Sequence, residues 1–82
     1  MIKTNSDRVI EAAAAYVESL CNVGKNSVLV QTFNGEFCQG TIRQQEIHRY
    51  NPLKVFLTLI DGNTKTEQTF DLGDVALIQP VA

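Results

Sequence analysis

The segment 28–42, with the sequence VLVQTFNGEFCQGTI, constrains the fold of this chain more than any other part. Two stretches with alternating apolar residues flank Asn34-Gly35, and Gly40 lies inside the second stretch. Asn-Gly is preferred at the centre of a two-residue type I′ turn, because both central residues need a positive φ. A glycine inside a strand is typical of a bulge or a sharp bend. The segment therefore predicts a β-hairpin whose second strand bends strongly, as strands do in small barrels.

The rest of the chain predicts one helix before this hairpin and three further strands after it. We expect the helix over about residues 4–22, with candidate N-caps in 4–7 and a C-terminal stop at Asn22 and Gly24. Its apolar stripe comprises Ile10, Ala13, Ala14, Val17, Leu20 and Cys21. The predicted strands are Ser27–Phe33, Glu36–Gln45, Leu53–Ile60, Lys65–Phe70 and Val75–Gln79.

The third predicted strand is the most apolar and carries apolar side chains on both faces. Phe56 and Ile60 share one face, and the opposite face carries Leu53, Val55, Leu57 and Leu59. A strand of this kind needs other parts of the protein packed against both of its faces. We therefore expect a mainly β chain, with an N-terminal α-helix followed by a strongly bent five-stranded antiparallel barrel over residues 27–80. Residues 1–82 are expected to form a single domain, and closing the sheet would remove its open edges.

Size and charge restrict the classes of partner. The chain has 82 residues and a net charge of −2, with 7 basic and 9 acidic residues. An acidic balance argues against strong nonspecific phosphate binding, which depends on Lys and Arg. A domain of this size gains little stability from burying its own core, so we expect oligomerisation to provide additional stability. With two cysteines, no signal peptide and no long apolar run, we expect reduced thiols, a cytoplasmic protein and no membrane partner.

The hydrophobic pattern resembles that of the Sm-like (LSm) family of small SH3-like barrels. Val28 and Val30, followed by Gly35, Gly40 and Ile42, are similar to the first motif of that family. Its second motif, a glycine before a short strand, is similar to Gly73 followed by Val75 and Ile78. The resemblance implies an N-terminal helix and a bent five-stranded barrel.

The polar positions of both motifs depart from the RNA-binding members of the family. Those members carry an Asp and then an Asn after the first motif, where this chain has Glu46 and Tyr50, with Asn51 one residue late. They also carry an Arg directly before the second glycine, where this chain has Leu72 after Asp71. These departures remove much of the base-binding site that the resemblance would otherwise imply.

The resemblance also implies homo-oligomeric rings, in which the fourth strand of one copy pairs with the fifth strand of the next. The side chains expected at this interface are Thr66, Gln68, Phe70, Val75, Leu77 and Ile78. Ring formation would provide the additional burial that a single small domain lacks.

One segment is locally basic and carries an aromatic residue. Its candidate nucleic-acid-binding residues are Arg43, His48, Arg49, Tyr50, Asn51 and Lys54, and Glu46 is the acidic residue among them. In this interpretation an aromatic ring stacks on a base while the cations contact phosphates. The alternative is that His48–Pro52 is a solvated loop between two strands.

No pattern in the sequence indicates catalysis or a cofactor. Cys21, Cys38 and His48 lack the spacing of a zinc site, so burial as small hydrophobes is the better explanation of the cysteines. No glycine-rich phosphate loop occurs. We therefore expect a protein that is not an enzyme and holds no metal or cofactor. The leading hypothesis is a ring that binds RNA or another single-stranded nucleic acid; the alternative is a ring that binds proteins as a scaffold.

Overall fold

The computed structural model describes residues 7–49 and 53–81. The elements, in chain order, are α1 (Asp7–Asn22), β1 (Ser27–Thr32), β2 (Phe37–His48), β3 (Lys54–Asp61), β4 (Glu67–Asp71), a 3-10 turn (Leu72–Asp74) and β5 (Val75–Pro80). This order confirms the predicted succession of one helix and five strands, although β2 runs past its predicted end to His48. No helix within the described residues is long and apolar enough to cross a membrane.

The helix α1 packs one face on the sheet and ends in a glycine motif. Its buried side chains are Ile10, Ala14, Val17 and Leu20. Gly24 has a φ of 78°, and the Lys25 amide donates to the Leu20 carbonyl at 2.8 Å. This is the Schellman arrangement, which confirms the predicted stop at Gly24. Cys21 is exposed, so its predicted place in the apolar stripe is wrong. The candidate caps Thr4–Ser6 lie outside the described residues.

The five strands form one antiparallel sheet in the order β4-β3-β2-β1-β5. Strands β4 and β5 therefore lie at opposite edges, although only the turn Leu72–Asp74 separates them in the chain. Such a short connection requires the sheet to curl strongly, in agreement with the predicted bend. The expected closure of the sheet does not occur within the described residues of one chain, because β4 and β5 do not pair with each other.

The bend lies in β2, which pairs first with β1 and then with β3 along its length. Its first residues pair with β1, and the residues from Gly40 onward pair with β3. A Cβ atom at Gly40 would lie 2.9 Å from the carbonyl carbon of Ile60 and closer still to its oxygen. Only glycine permits this approach of two backbones. A register shift follows between Ile42 and Gln44, which leaves Arg43 as the extra residue of a bulge.

The β1–β2 turn differs from the predicted two-residue type I′ turn. Gly35 has a φ of 91°, whereas Asn34 does not have a positive φ. The Gly35 amide donates to the Thr32 carbonyl at 3.1 Å, and the Thr32 amide donates to the Glu36 carbonyl at 2.9 Å. These bonds enclose a three-residue loop in which only the glycine is left-handed, which is a common hairpin connection. The prediction was wrong because β1 ends at Thr32 and Phe33 belongs to the loop.

The core lies between α1 and the concave side of the sheet. The predicted inner face of the third strand is confirmed, because Leu53, Val55, Leu57 and Leu59 are all buried. On the opposite face Phe56 and Ile60 are half-buried.

The β3–β4 turn is organised by the carboxylate of Asp61. Its Oδ1 accepts hydrogen bonds from the amides of Asn63 at 2.7 Å and Thr64 at 3.1 Å. Its Oδ2 lies 3.7 Å from Sγ of the buried Cys38. The backbone amides of Thr64 and Asn63 lower the pKa of Asp61 below its ordinary value. Burial, together with the charge and hydrogen bond of Asp61, raises the pKa of the Cys38 thiol.

The substitution Gly40→Ala should destabilise the fold by about 1–3 kcal/mol, because the new methyl group has no space against the backbone of Ile60. Gly62→Ala is the matched control, since a Cβ there would lie at an ordinary 3.4 Å from the Gln39 carbonyl oxygen. That control should change the free energy of unfolding by less than about 1 kcal/mol. Urea unfolding at one protein concentration measures both; equal stabilities of the two variants would contradict the close approach.

The pKa of Asp61 predicts a loss of stability in acid. Because the folded-state pKa is lowered, the carboxylate contributes fully above the ordinary value of 3.8, and this contribution is lost as the pH falls through the folded-state value. Asp61→Asn keeps an oxygen acceptor for the turn but cannot titrate. The free energy of unfolding should therefore fall less steeply for Asp61→Asn than for the wild type between about pH 5 and about pH 2. Parallel curves from urea unfolding would contradict this role.

Candidate nucleic-acid interface

The predicted basic segment extends from the bulge of β2 to the start of β3, and Arg49 lies beside α1. Arg43 and His48 lie in β2, Arg49 follows it, and Lys54 begins β3. Tyr50 and Asn51, the predicted stacking residue and its neighbour, lie outside the described residues. The structure therefore places four of the six predicted binding residues.

Each of these four basic side chains is paired with a carboxylate. The distances are 3.5 Å for Arg43 Nε to Glu67, 3.2 Å for His48 Nε2 to Glu46, 3.6 Å for Arg49 to Glu11, and 3.4 Å for Lys54 Nζ to Asp71. Three of the acidic partners come from other elements, namely α1 and β4. The expectation that Glu46 alone opposes the basic residues is wrong, because the fold brings Glu67, Glu11 and Asp71 beside Arg43, Arg49 and Lys54, respectively.

The two arginine ion pairs are exposed and individually weak. The side chains of Arg49 and Glu11 keep 70% and 60% of their accessible surface, and those of Arg43 and Glu67 keep 57% each. Exposed pairs of this kind contribute about 0–1 kcal/mol. Their importance is electrostatic: each described Arg or Lys of the segment has a neighbouring negative charge, so the segment carries no local excess of positive charge.

His48 is also in contact with an aromatic ring of β3. Its imidazole lies 5.4 Å from the Phe56 ring, with an interplanar angle of 84°, which is an edge-to-face arrangement. In the part of the chain that the structure describes, no group of three or more His, Cys, Asp or Glu side chains is placed to hold a metal ion.

The helix borders this region and is attached to it by polar contacts. Gln45 Nε2 donates to the Ala14 carbonyl at 3.2 Å, in addition to the Arg49–Glu11 pair. Between α1 and the ends of β2 and β3 lies a groove of about 250 Å³, with Glu11, Glu18 and Arg49 as its charged lining residues. Two carboxylates against one guanidinium make this groove unfavourable for phosphate groups.

The residues of the turn before β5 and the residue that precedes it have structural roles. Leu72, at the position where RNA-binding Sm-like proteins carry Arg, is buried and belongs to the core. Asp71 Oδ1 accepts a hydrogen bond from the Gly73 amide at 2.8 Å and so fixes the start of the turn. The polar chemistry expected before Gly73 is therefore replaced by a structural cap and a core side chain.

The six residues predicted at an oligomer interface lie on or beside the two sheet edges. Phe70, Val75 and Ile78 are half-buried and pack against the core, whereas Leu77 is 41% exposed. Gln68 is exposed in β4, and Thr66 precedes that strand. A groove of about 510 Å³ separates β4 from the β1–β2 loop. The sequence alone did not indicate this groove, which depends on how far the sheet curls.

No protein-family model and no curated protein sequence matches the chain. One solved structure, a crystal structure of XC5848 from Xanthomonas campestris described as adopting a novel variant of the Sm-like motif, is similar in fold. The TM-score is 0.67 at 13% sequence identity, and the match covers 99% of this chain and 94% of the other. The fold is Sm-like. This confirms the predicted architecture, whereas identity this low carries no information on the ligand.

Proposed function

We propose that this Sm-like chain is a non-catalytic, self-assembling interaction module. In this proposal β4 of one copy pairs with β5 of the next to form a closed homo-oligomeric ring, and the ring binds proteins as a scaffold. The observation that carries the proposal is that β4 and β5 are the two edge strands of the sheet. Among the described residues, the outer side of each strand pairs with no other strand.

The backbone of β4 presents hydrogen-bonding groups away from the sheet. The Thr66 carbonyl accepts from the Asp61 amide in β3 at 2.9 Å. Because the direction of backbone groups alternates along a strand, the amide and carbonyl of Thr69 point outward. An unpaired edge of this kind is a ready template for another strand.

The opposite edge has matching groups and no charge. The Val81 amide donates to the Ser27 carbonyl in β1 at 2.8 Å, so the backbone groups of Ile78 point outward by the same alternation. Pro80, which has no amide hydrogen, lies at an outward position, where proline is tolerated. Strand β5 contains no charged side chain. An uncharged strand can therefore approach β4 without repulsion from Glu67 or Asp71.

The charges of the chain favour a protein partner over a nucleic acid. The net charge is −2, and each described Arg and Lys side chain of the segment Arg43–Lys54 is paired with a carboxylate. Nucleic-acid affinity depends on cations that neutralise phosphates. Neither the whole chain nor this segment supplies an unopposed set of them among the described residues.

Thr69→Pro tests the pairing of the two edges. Proline removes the outward amide of Thr69 and leaves the inward backbone bonds of β4 to β3 in place, so the chain should stay folded but fall from an oligomer to single copies of 9.1 kDa. Light scattering on a sizing column measures the mass, and circular dichroism reports the fold.

Thr69→Val is the matched control, because it keeps the amide and the β-branched shape and loses only the hydroxyl. It should retain the oligomeric mass. A folded Thr69→Pro variant that still assembles like the wild type would contradict pairing through this edge.

The second candidate function is binding of RNA or another single-stranded nucleic acid by the same ring, through the segment Arg43–Lys54. The observation that favours it is the exposure of the ion pairs. An arginine that loses about 0–1 kcal/mol on leaving its carboxylate can exchange that partner for a phosphate.

The two functions differ in their response to single-stranded RNA and salt. As a scaffold, the purified assembly should carry no excess absorbance at 260 nm and should show no binding to an RNA oligomer in fluorescence anisotropy. As an RNA-binding ring, it should bind, and Arg49→Ala should weaken binding and reduce the salt slope by about 1. Salt-dependent binding that responds to Arg49→Ala would decide for the second candidate.

A further inference from the structure

A pocket of about 360 Å³ opens where β2 begins, beside the end of β3 and the side chains of β4. Its described lining residues include two carboxylates and two aromatic rings, and no Lys, Arg or His is among them. The residues of this acidic–aromatic pocket are Glu36, Phe37, Cys38, Asp61, Gln68 and Phe70. All of them belong to one chain, so the pocket does not depend on assembly.

The negative charge of the pocket is not balanced by a neighbouring cation. The ion pairs between described residues include neither Glu36 nor Asp61. Asp61 stays ionised at neutral pH, because the amides of the β3–β4 turn lower its pKa. Two carboxylates at one pocket attract a positively charged group and repel the phosphates of a nucleic acid.

The aromatic rings narrow the choice of cation. Phe37 is 65% exposed, and Phe70 is half-buried against the core. A cation over the face of an aromatic ring is attracted by its electrons, and arginine is found there more often than lysine. The planar guanidinium also carries five N–H donors, so it can stack on a ring and donate to carboxylates at the same time. The composition of the pocket therefore favours an arginine side chain.

The backbone of Phe37 adds hydrogen-bonding groups on the same side of β2. The Gly62 amide, which follows β3, donates to the Gln39 carbonyl at 2.9 Å on the side of β2 away from β1. Because the direction of backbone groups alternates along a strand, the amide and carbonyl of Phe37 point to that side too. Pairing of β2 with β3 begins only at Gly40, so these two groups have no strand partner among the described residues. An extended peptide segment can pair with them.

We propose that the acidic–aromatic pocket binds an arginine side chain carried by an extended segment of a partner protein. The guanidinium lies against the Phe37 ring and donates to the carboxylates of Glu36 and Asp61. The backbone of the segment pairs with that of Phe37. This inference rests on the protein-binding part of the proposed function and names the chemistry of the partner.

The inference is independent of the ring. Phe70 lies opposite the buried Leu57, whereas Thr69 lies opposite Thr58 on the other face of the sheet. The pocket uses the side chains of Gln68 and Phe70. The proposed pairing of copies uses the outward backbone groups of Thr69, so neither contact requires the other.

The test measures binding of a short fluorescent peptide of serine and valine with one central arginine, by fluorescence anisotropy. A second peptide carries citrulline in place of the arginine, which keeps the planar shape and removes the charge. We expect the arginine peptide to bind and the citrulline peptide to show no measurable binding.

Two variants with matched controls locate the binding site. Glu36→Lys places a cation in the pocket and should weaken binding by more than about tenfold, because like charges then meet. Glu18→Lys makes the same change of net charge at an exposed position of α1, outside the pocket, and should bind like the wild type. Phe37→Ala should weaken binding by about twofold to fivefold. Its control is Tyr16→Ala, since Tyr16 is a 42% exposed aromatic residue of α1.

The outcomes separate this inference from the ring. Equal binding of the arginine and citrulline peptides, or equal binding by Glu36→Lys and Glu18→Lys, would overturn the arginine pocket. An absence of binding by the folded wild type would do the same, and in each case the mass from light scattering still decides on the ring. Binding by wild-type single copies of 9.1 kDa that is lost in Glu36→Lys would support the pocket and contradict the ring.

Discussion

The whole architecture depends on the close approach of two backbones at Gly40 and Ile60. Strand β2 must leave β1 and join β3 within a few residues, and the bend requires that no side chain project at the crossing. The core residues of β1 and β3 can then face a common interior, and the helix can cover it. A side chain at this position would push the two backbones apart at the crossing.

The architecture was largely predictable from the sequence, because its determinants are local. Burial and backbone shape are indicated by short stretches of the sequence. These are the alternating valines, the apolar third strand and the glycines at positions 24 and 40. The errors concern details that are also set by neighbouring structure. Asn34-Gly35 fits a two-residue turn when taken alone, but the end of β1 at Thr32 gives it a three-residue loop. Cys21 fits an apolar stripe, but it is exposed near the end of α1, where it lines an open groove beside β2.

The candidate binding segment could not be evaluated from the sequence to the same extent. Arg43, Arg49 and Lys54 are close together along the chain, which suggested a basic surface. Their carboxylate partners Glu67, Glu11 and Asp71 are distant in sequence and are brought there by strand pairing and helix docking. Local charge in a folded protein is a property of contacts between elements. For that reason a count along the chain overestimated the positive charge of this region.

The turn Leu72–Asp74 joins the two outermost strands, and it is held from several sides. Asp71 caps it, Leu72 anchors it in the core under α1, and the Asp74 carbonyl accepts from the Phe33 amide at 3.0 Å. The angle between the outward directions of β4 and β5 is thereby fixed within each chain. In an assembly built through both edges, that angle is the rotation from one copy to the next. The number of copies needed to complete a full circle would then be set by this rigid three-residue turn.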